Sequence, residues 1–274
     1  MDIFGHQTNE IKKEVKEVKQ VEWFNSRFYK IGDEFYPSVT TILGCLTDKG
    51  LLAWMQNLSK EEQEKIKYES SERGKRIHYA CDRINNGFPV VYNPFLKPNF
   101  SYDEIREMGA VEMKYQEEYY QIIKYIQILD ILKPKNIVSE QTVCCDTHKY
   151  AGTMDSLMYI QEGDYNIDGT KKIALKEGWY LIDIKSGNYL SDKFYYQTSA
   201  YAKAVNQNTD IDVTGTIIIH LAAKTKQGWT CKVRNREEYD VDFSNFLKIK
   251  AVFDITNTES PKVYNMPIIT KWEK

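Results

Sequence analysis

The sequence predicts a mixed α/β (α+β) fold, with one central mixed β-sheet flanked by helices and a helical lobe in front of it. Charged stretches with helical periodicity dominate the first 134 residues. From Ile137 the apolar period changes to that of strands. Three strand-like runs, a helix, two further strands and a last helix then follow in order, a succession that builds one main sheet. No internal repeat or low-complexity linker interrupts the chain. Residues 1–134 are therefore read as a hairpin and helical lobe packed on a core at 135–274, within a single compact unit.

The elements follow from local patterns. Residues 8–20 place Ile11, Val15 and Val18 among Lys and Glu, as an amphipathic helix would. Val21 to Ile31 is rich in aromatics and precedes a Gly32-Asp33 turn and a return through Glu34-Phe35-Tyr36, a hairpin pattern. Ser38 fits the N-cap of a helix from Val39 to Leu46. A short helix is expected over 50–58, and a charged helix over 60–86 that stops at Asn86-Gly87. Pro89, Pro94 and Pro98 make 88–101 a loop. A long helix from Tyr102 to Leu132 carries Met108, Tyr115, Tyr119, Ile122, Ile126 and Leu129 on its apolar stripe and is closed by Pro134. The strands are Ile137 to Val143, Thr153 to Ile160 and Trp179 to Ile184, with 161–178 as a polar surface connection. Asp192–Asn206 is a helix, Thr214–Leu221 and Thr230–Val233 are strands, and Phe243–Thr256 is the final helix.

Composition narrows the class. The chain has 274 residues, 42% hydrophobic and 28% charged, enough for a well-filled core. A net charge of -2 sets it apart from strongly basic nucleic-acid binders, although a local basic groove remains compatible with it. Its five cysteines include no CxxC pair, which argues against a disulfide framework or zinc knuckle and for a reducing compartment. No apolar run approaches the roughly 20 residues of a membrane helix, and lysines interrupt the N-terminus where a signal peptide would be apolar. A cytoplasmic protein, phage- or plasmid-encoded in a bacterial host, is expected. The 20 tyrosines fit half-buried packing and, for some, base stacking.

The chemistry concentrates in a few residues. Asp155 lies in a strand pattern behind Gly152-Thr153-Met154, and Asp183 follows the apolar pair Leu181-Ile182. Charges there are costly unless paired or bound to metal. Two aspartates near one sheet end supply the oxygen ligands that Mg²⁺ or Mn²⁺ prefers. Lys185 leaves the same strand face as Asp183, where it would meet an attacking water or a phosphate. The same DxK pattern also fits a solvated strand end before Ser186-Gly187-Asn188. Gln197 and Tyr201 are one helical turn apart and suit a water or phosphate and a nucleic-acid backbone; an ordinary amphipathic helix gives the same spacing. His78, behind Arg73-Gly74-Lys75-Arg76-Ile77, suits metal or phosphate and equally a structural role. Glu140 is a second-rank carboxylate, either in the site, paired with Lys185, or an exposed strand acid. Ser38 and Thr40 open a helix whose amides suit a phosphate or a plain cap. His6, His148 and His220 are read as non-catalytic.

In order along the chain, Tyr36-Pro37-Ser38-Val39-Thr40-Thr41-Ile42-Leu43, Arg73 to His78, Glu140, Gly152 to Asp155, Asp183-Ile184-Lys185 and Gln197 to Tyr201 resemble the PD-(D/E)XK nuclease superfamily. Within it they resemble the RecB-like exonucleases of phages and of mitochondrial genome maintenance. The resemblance implies a restriction-endonuclease-like core, with His78, Asp155, Asp183 and the Ile184 carbonyl as metal ligands and Lys185 at the water. Gln197 and Tyr201 match the QxxxY motif, and Ser38, Thr40, Arg73 and Lys75 would contact the DNA backbone. Asp183 stands where many members have Glu, and the stretch between Asp155 and Asp183 is long. The four cysteines that hold an iron–sulfur cluster in some relatives have no counterpart, so no cluster is expected. The expected activity is a Mg²⁺- or Mn²⁺-dependent DNA exonuclease acting on single-stranded or frayed ends. An endonuclease of the same chemistry, or a non-catalytic DNA-binding or assembly protein, are the alternatives.

Overall fold

The computed structural model describes residues 18–24, 26–46, 55–257 and 261. It begins with an antiparallel meander of β1 (Val18–Trp23), β2 (Ser26–Ile31) and β3 (Glu34–Pro37). The expected long first strand is broken where Phe24 takes a left-handed φ of 46°, so the hairpin becomes three strands. Gly32, at φ 62°, makes the expected second turn. The helix expected over 8–20 falls outside the described residues up to residue 17, and its end, Val18 to Gln20, is strand instead. Most of the helix expected over 50–58 also lies outside the described residues.

The lobe continues with α1 (Val39–Leu43) and α2 (Lys60–Asn85), the latter opened by a Ser59/Glu62 capping box. The single helix expected from Tyr102 to Leu132 is two. After β4 (Val90–Tyr92) come α3 (Tyr102–Glu107), β5 (Val111–Met113) and α4 (Gln116–Leu132). Gly109 accounts for the break. It turns left-handed at φ 60°, and the Ala110 amide closes back on the Ile105 carbonyl in a Schellman-type stop. Met108 and Tyr115, assigned to the apolar stripe, are consequently exposed. The proline-rich loop holds β4, which pairs in parallel with β5.

The central sheet comprises β6 (Asn136–Cys145), β7 (Tyr150–Ile160), β10 (Gly178–Lys185), β11 (Val213–His220) and β12 (Thr230–Asn235), in the order β12-β11-β10-β7-β6. Only the β10–β11 pair in this sheet is parallel, and α5 (Lys193–Asn208) makes the crossover that a parallel pair requires. The connection at 161–178 contains a small hairpin, β8 (Gly163–Tyr165) and β9 (Ile173–Leu175), and buries Ile167 and Leu175 rather than lying wholly on the surface. The last helix, α6 (Arg236–Thr256), starts earlier than expected because Asn235 and Glu238 form a capping box.

Strand alternation divides the core between two faces. On β10, Tyr180, Ile182 and Ile184 face a layer built by α2 and α4, with Ile77, Cys81, Ile122 and Tyr125 in contact. Leu181 faces the other layer, where α1, α5 and α6 contribute Ile42, Ala204 and Phe246. The first layer therefore fuses residues from both sides of position 134. Among the described residues, no helix is long and apolar enough to cross a membrane.

Candidate active site

The site forms where two strands part. The β7–β10 ladder runs from Ile160↔Gly178 to Ser156↔Ile182 and then stops. At the next step the Asp155 side chain takes over the pairing role. Its Oδ2 accepts the Ile184 amide at 2.6 Å, and its Oδ1 lies 3.0 Å from Nδ1 of His78 on α2. The parting of the strands thus puts a carboxylate, an imidazole and a backbone amide at one sheet end.

Asp183 and Lys185 share a face of β10, as their spacing predicts. The Lys185 ammonium donates to Asp183 Oδ1 at 3.0 Å and sits 2.8 Å from Oδ2. It also donates to Gln197 Oε1 at 3.3 Å and lies 4.3 Å from the centroid of the Phe194 ring. Asp183 is 2% exposed, and its Oδ2, though ion-paired, has no directed hydrogen bond. A buried carboxylate oxygen held this way is only partly satisfied.

The charges respond to this enclosure. Burial, reinforced by Asp155 and resisted by Lys185, pushes Asp183 up to about 6. Burial also presses on Asp155, but His78, Lys185 and the Ile184 amide outweigh it and hold that carboxyl below its usual range. For His78, burial opposes the proton, yet the Asp155 carboxylate prevails and its pKa is raised. Glu140 is exposed at its outer side, but partial desolvation, with the Asp155 charge beside it, pushes it up to about 7.

One group of donors could hold a metal ion. Ligand atoms of His78, Glu140 and Asp155 all lie within 4.8 Å of one another. Asp183 stands outside that trio, committed to Lys185, while Glu140 moves from the second rank into it. Glu140 has a left-handed φ of 50° between Ser139 and Gln141, which pair with Ser156 and Met154. It therefore lies across the ladder from Asp155, a placement that strand register could have revealed.

The residues expected at DNA divide. Arg73 is half-buried with an unpartnered Nε, on the turn of α2 where a Cβ on Gly74 would lie 3.8 Å from Ser186 Oγ, beside the loop after Lys185. Lys75 is exposed and paired with Glu72 at 2.7 Å. Thr40 is exposed and borders a groove of about 650 Å³ with Arg27 and Phe253 that includes none of the site's acids. Ser38 and Tyr201 turn inward. Ser38 is 1% exposed, and its hydroxyl accepts the Thr41 amide at 3.0 Å and bonds the Thr41 hydroxyl, so it caps α1 rather than meeting a ligand. Tyr201 is buried over Gly152, where a Cβ would stand 2.5 Å from its ring. Its hydroxyl, which reaches Gln197, is raised far above the usual range by burial. Tyr201 thus supports Gln197 from within.

Three residues outside the expected site set also hold the site. Phe194 covers the Lys185 ammonium. Gln121 of α4 donates to the Ser186 carbonyl at 3.4 Å, and His220 Nε2 meets the Gly187 carbonyl at 2.7 Å. With the Leu221 amide on the Lys185 carbonyl at 2.8 Å, these contacts fix the chain immediately after the lysine. Phe194 could have been found by its position one turn before Gln197; His220 lies beside Lys185 only through the β10–β11 register. No protein-family model matches this sequence, and no curated protein matches it.

Proposed function

We propose that this chain is a Mg²⁺- or Mn²⁺-dependent deoxyribonuclease, an exonuclease hydrolysing phosphodiester bonds at single-stranded or frayed DNA ends in the cytoplasm. The observation that carries this reading is the meeting of Asp155, Asp183, Lys185, Gln197, His78 and Glu140 at one sheet end, although they come from β7, β10, α5, α2 and β6. His78, Glu140 and Asp155 would hold the ion, with Asp183 and the Ile184 carbonyl as further ligands. Such an ion, when bound, supplies Lewis acidity to the scissile phosphate and acidity to a nearby water. Lys185, steered by Asp183 and Gln197, faces the negative charge that develops as water adds to phosphorus and the ester oxygen leaves. Phe194 shields the same ammonium and restricts its motion. The fixed loop after Lys185 keeps the amine in register with the acids. Arg73, half-buried on the same helix as His78, would contact the strand's phosphate through the outer part of its guanidinium.

The test is digestion of end-labelled linear DNA and closed circular DNA, single- and double-stranded, with Mg²⁺, Mn²⁺ or chelator. Metal-dependent loss of linear substrate with intact circles is expected, and Asp183→Ala should abolish cleavage while retaining DNA binding. Cutting of circles reassigns the protein to endonucleases. Wild-type protein that cleaves no substrate with either ion removes the proposal.

A further inference from the structure

The loop between β4 and α3 is built to hold apolar side chains in water. Asn93 is 3% exposed and organises it from below. Its Oδ1 accepts the amides of Asn99 at 2.7 Å and Phe100 at 3.0 Å, while Nδ2 donates to the Phe100 carbonyl at 3.1 Å and to the Glu112 carboxylate. Pro94 and Pro98 stiffen the intervening backbone. On this frame Leu96 is fully exposed and Phe95 is 63% exposed. Tyr115, at the start of α4 and 49% exposed, meets Phe95 edge-on with ring centroids 5.7 Å apart.

Each ring carries a cation. Lys114 Nζ lies 5.4 Å from the Phe95 centroid, and Arg76 Cζ lies 5.0 Å from that of Tyr115. Neither cation is loose. Lys114 is tied to Glu112, and Arg76 makes two bonds to the buried Glu118, at 2.6 and 2.9 Å. A flexible loop would fold Phe95 and Leu96 away from water and recover their burial. The Asn93 network holds the loop open, so these faces are presented in a fixed arrangement beside two cations that are themselves paired with Glu112 and Glu118. Exposed flat aromatic faces suit unpaired nucleobases, which stack on them whatever their sequence. Stacked, paired bases of a duplex offer no such free faces.

The cluster and the candidate active site draw on the same two helices. Arg76 is on α2, two residues before His78, and Gln121 of α4 holds the Ser186 carbonyl beside Lys185. Tyr115 precedes Gln121 on α4 by a rise of about 9 Å.

We propose that Phe95, Leu96 and Tyr115 form a base-stacking platform for the unpaired end of a DNA strand whose backbone continues to the site at Lys185. This rests on the nuclease reading and adds to it the element that selects unpaired over paired DNA. The experiment is fluorescence anisotropy in divalent-free buffer, using the full chain, a labelled oligothymidylate and an abasic oligonucleotide of equal length. Phe95→Ala combined with Tyr115→Ala should weaken oligothymidylate binding roughly tenfold or more and leave abasic binding unchanged, while Phe95→Trp keeps full affinity. Both rings are exposed, and an unchanged melting temperature confirms that the fold is kept. Equal losses on both oligonucleotides, or no loss on either, overturn the platform. So does wild-type self-association abolished by Leu96→Ser with DNA affinity intact, which would assign the face to a protein contact. Wild-type protein that cleaves DNA while the alanine variant binds as wild type sinks the platform alone; wild-type protein that neither binds nor cleaves sinks both readings.

Discussion

Gly152 and Tyr201 come from separate motifs, and replacing Gly152 by Ala tests whether they are complementary in shape. An added Cβ would lie 2.5 Å from Tyr201 Cε1, 2.9 Å from its hydroxyl oxygen and 3.1 Å from Cζ. Carbon atoms pack comfortably at about 3.5–4.0 Å, so the ring must retreat by about 1 Å. It has nowhere open to go, being 4% exposed and part of the cluster with Met154, Ala200 and Leu181. Overpacking of this kind costs about 1–3 kcal/mol. With an m-value of about 2–3 kcal/mol/M, the urea midpoint should fall by roughly 0.3–1.5 M. Tyr201→Ala alone removes a buried aromatic ring and should cost about 3–5 kcal/mol. In the double variant the new methyl enters space that the ring has left, so the combined loss should fall short of the sum by about 1–2 kcal/mol. Equilibrium urea unfolding of the four proteins gives the cycle. Gly152→Ala within about 0.5 kcal/mol of wild type, or strict additivity, would refute the reasoning.

Other perturbations give further expectations. Burial and the positive charges of Lys124 and Lys232 lower the pKa of His220 despite its bond to Gly187. The folded chain then binds fewer protons at this site than the unfolded one, so its contribution is present above about pH 6.5 and is lost as pH falls toward the lowered folded value. His220→Gln should flatten the rise of unfolding stability with pH relative to wild type; parallel curves would contradict this. Cys45 is exposed, whereas Cys81 and Cys231 are buried with thiols pushed upward by desolvation. Mass spectrometry after iodoacetamide treatment should find native protein modified at Cys45, and at Cys81 and Cys231 only after unfolding. Asn93→Ala removes the frame of the 94–100 loop and should cost about 2 kcal/mol. Limited proteolysis should then cut within the loop, and should leave it intact in the wild-type protein.

Much of the fold was legible because periodicity reports burial directly. The strands of the central sheet and α2 and α5 lie close to where alternation and helical spacing put them. Sequence reading failed where one residue's backbone conformation outweighed a longer pattern. Gly109 cut the apparent helix at 102–132, and Phe24 folded one expected strand into two. At the site, the neighbours Asp183 and Lys185 were legible because strand geometry alone sets their common face. The place of Glu140 opposite Asp155 and of His220 beside Lys185 depends on which strands are adjacent, which local spacing does not encode. Ser38 and Tyr201 carried motif positions but face inward, since composition does not tell a capping hydroxyl or a packed phenol from one that meets a ligand.

The layer that α2 and α4 lay over the sheet bears on any attempt to trim the molecule. A fragment beginning at residue 135 would uncover Met158, Ile160, Ile182 and Ile184 together, and would also lose the imidazole that steadies Asp155. Such a fragment should aggregate on expression. The front half of the chain acts as the lid of the interior, and a minimal functional version must retain it.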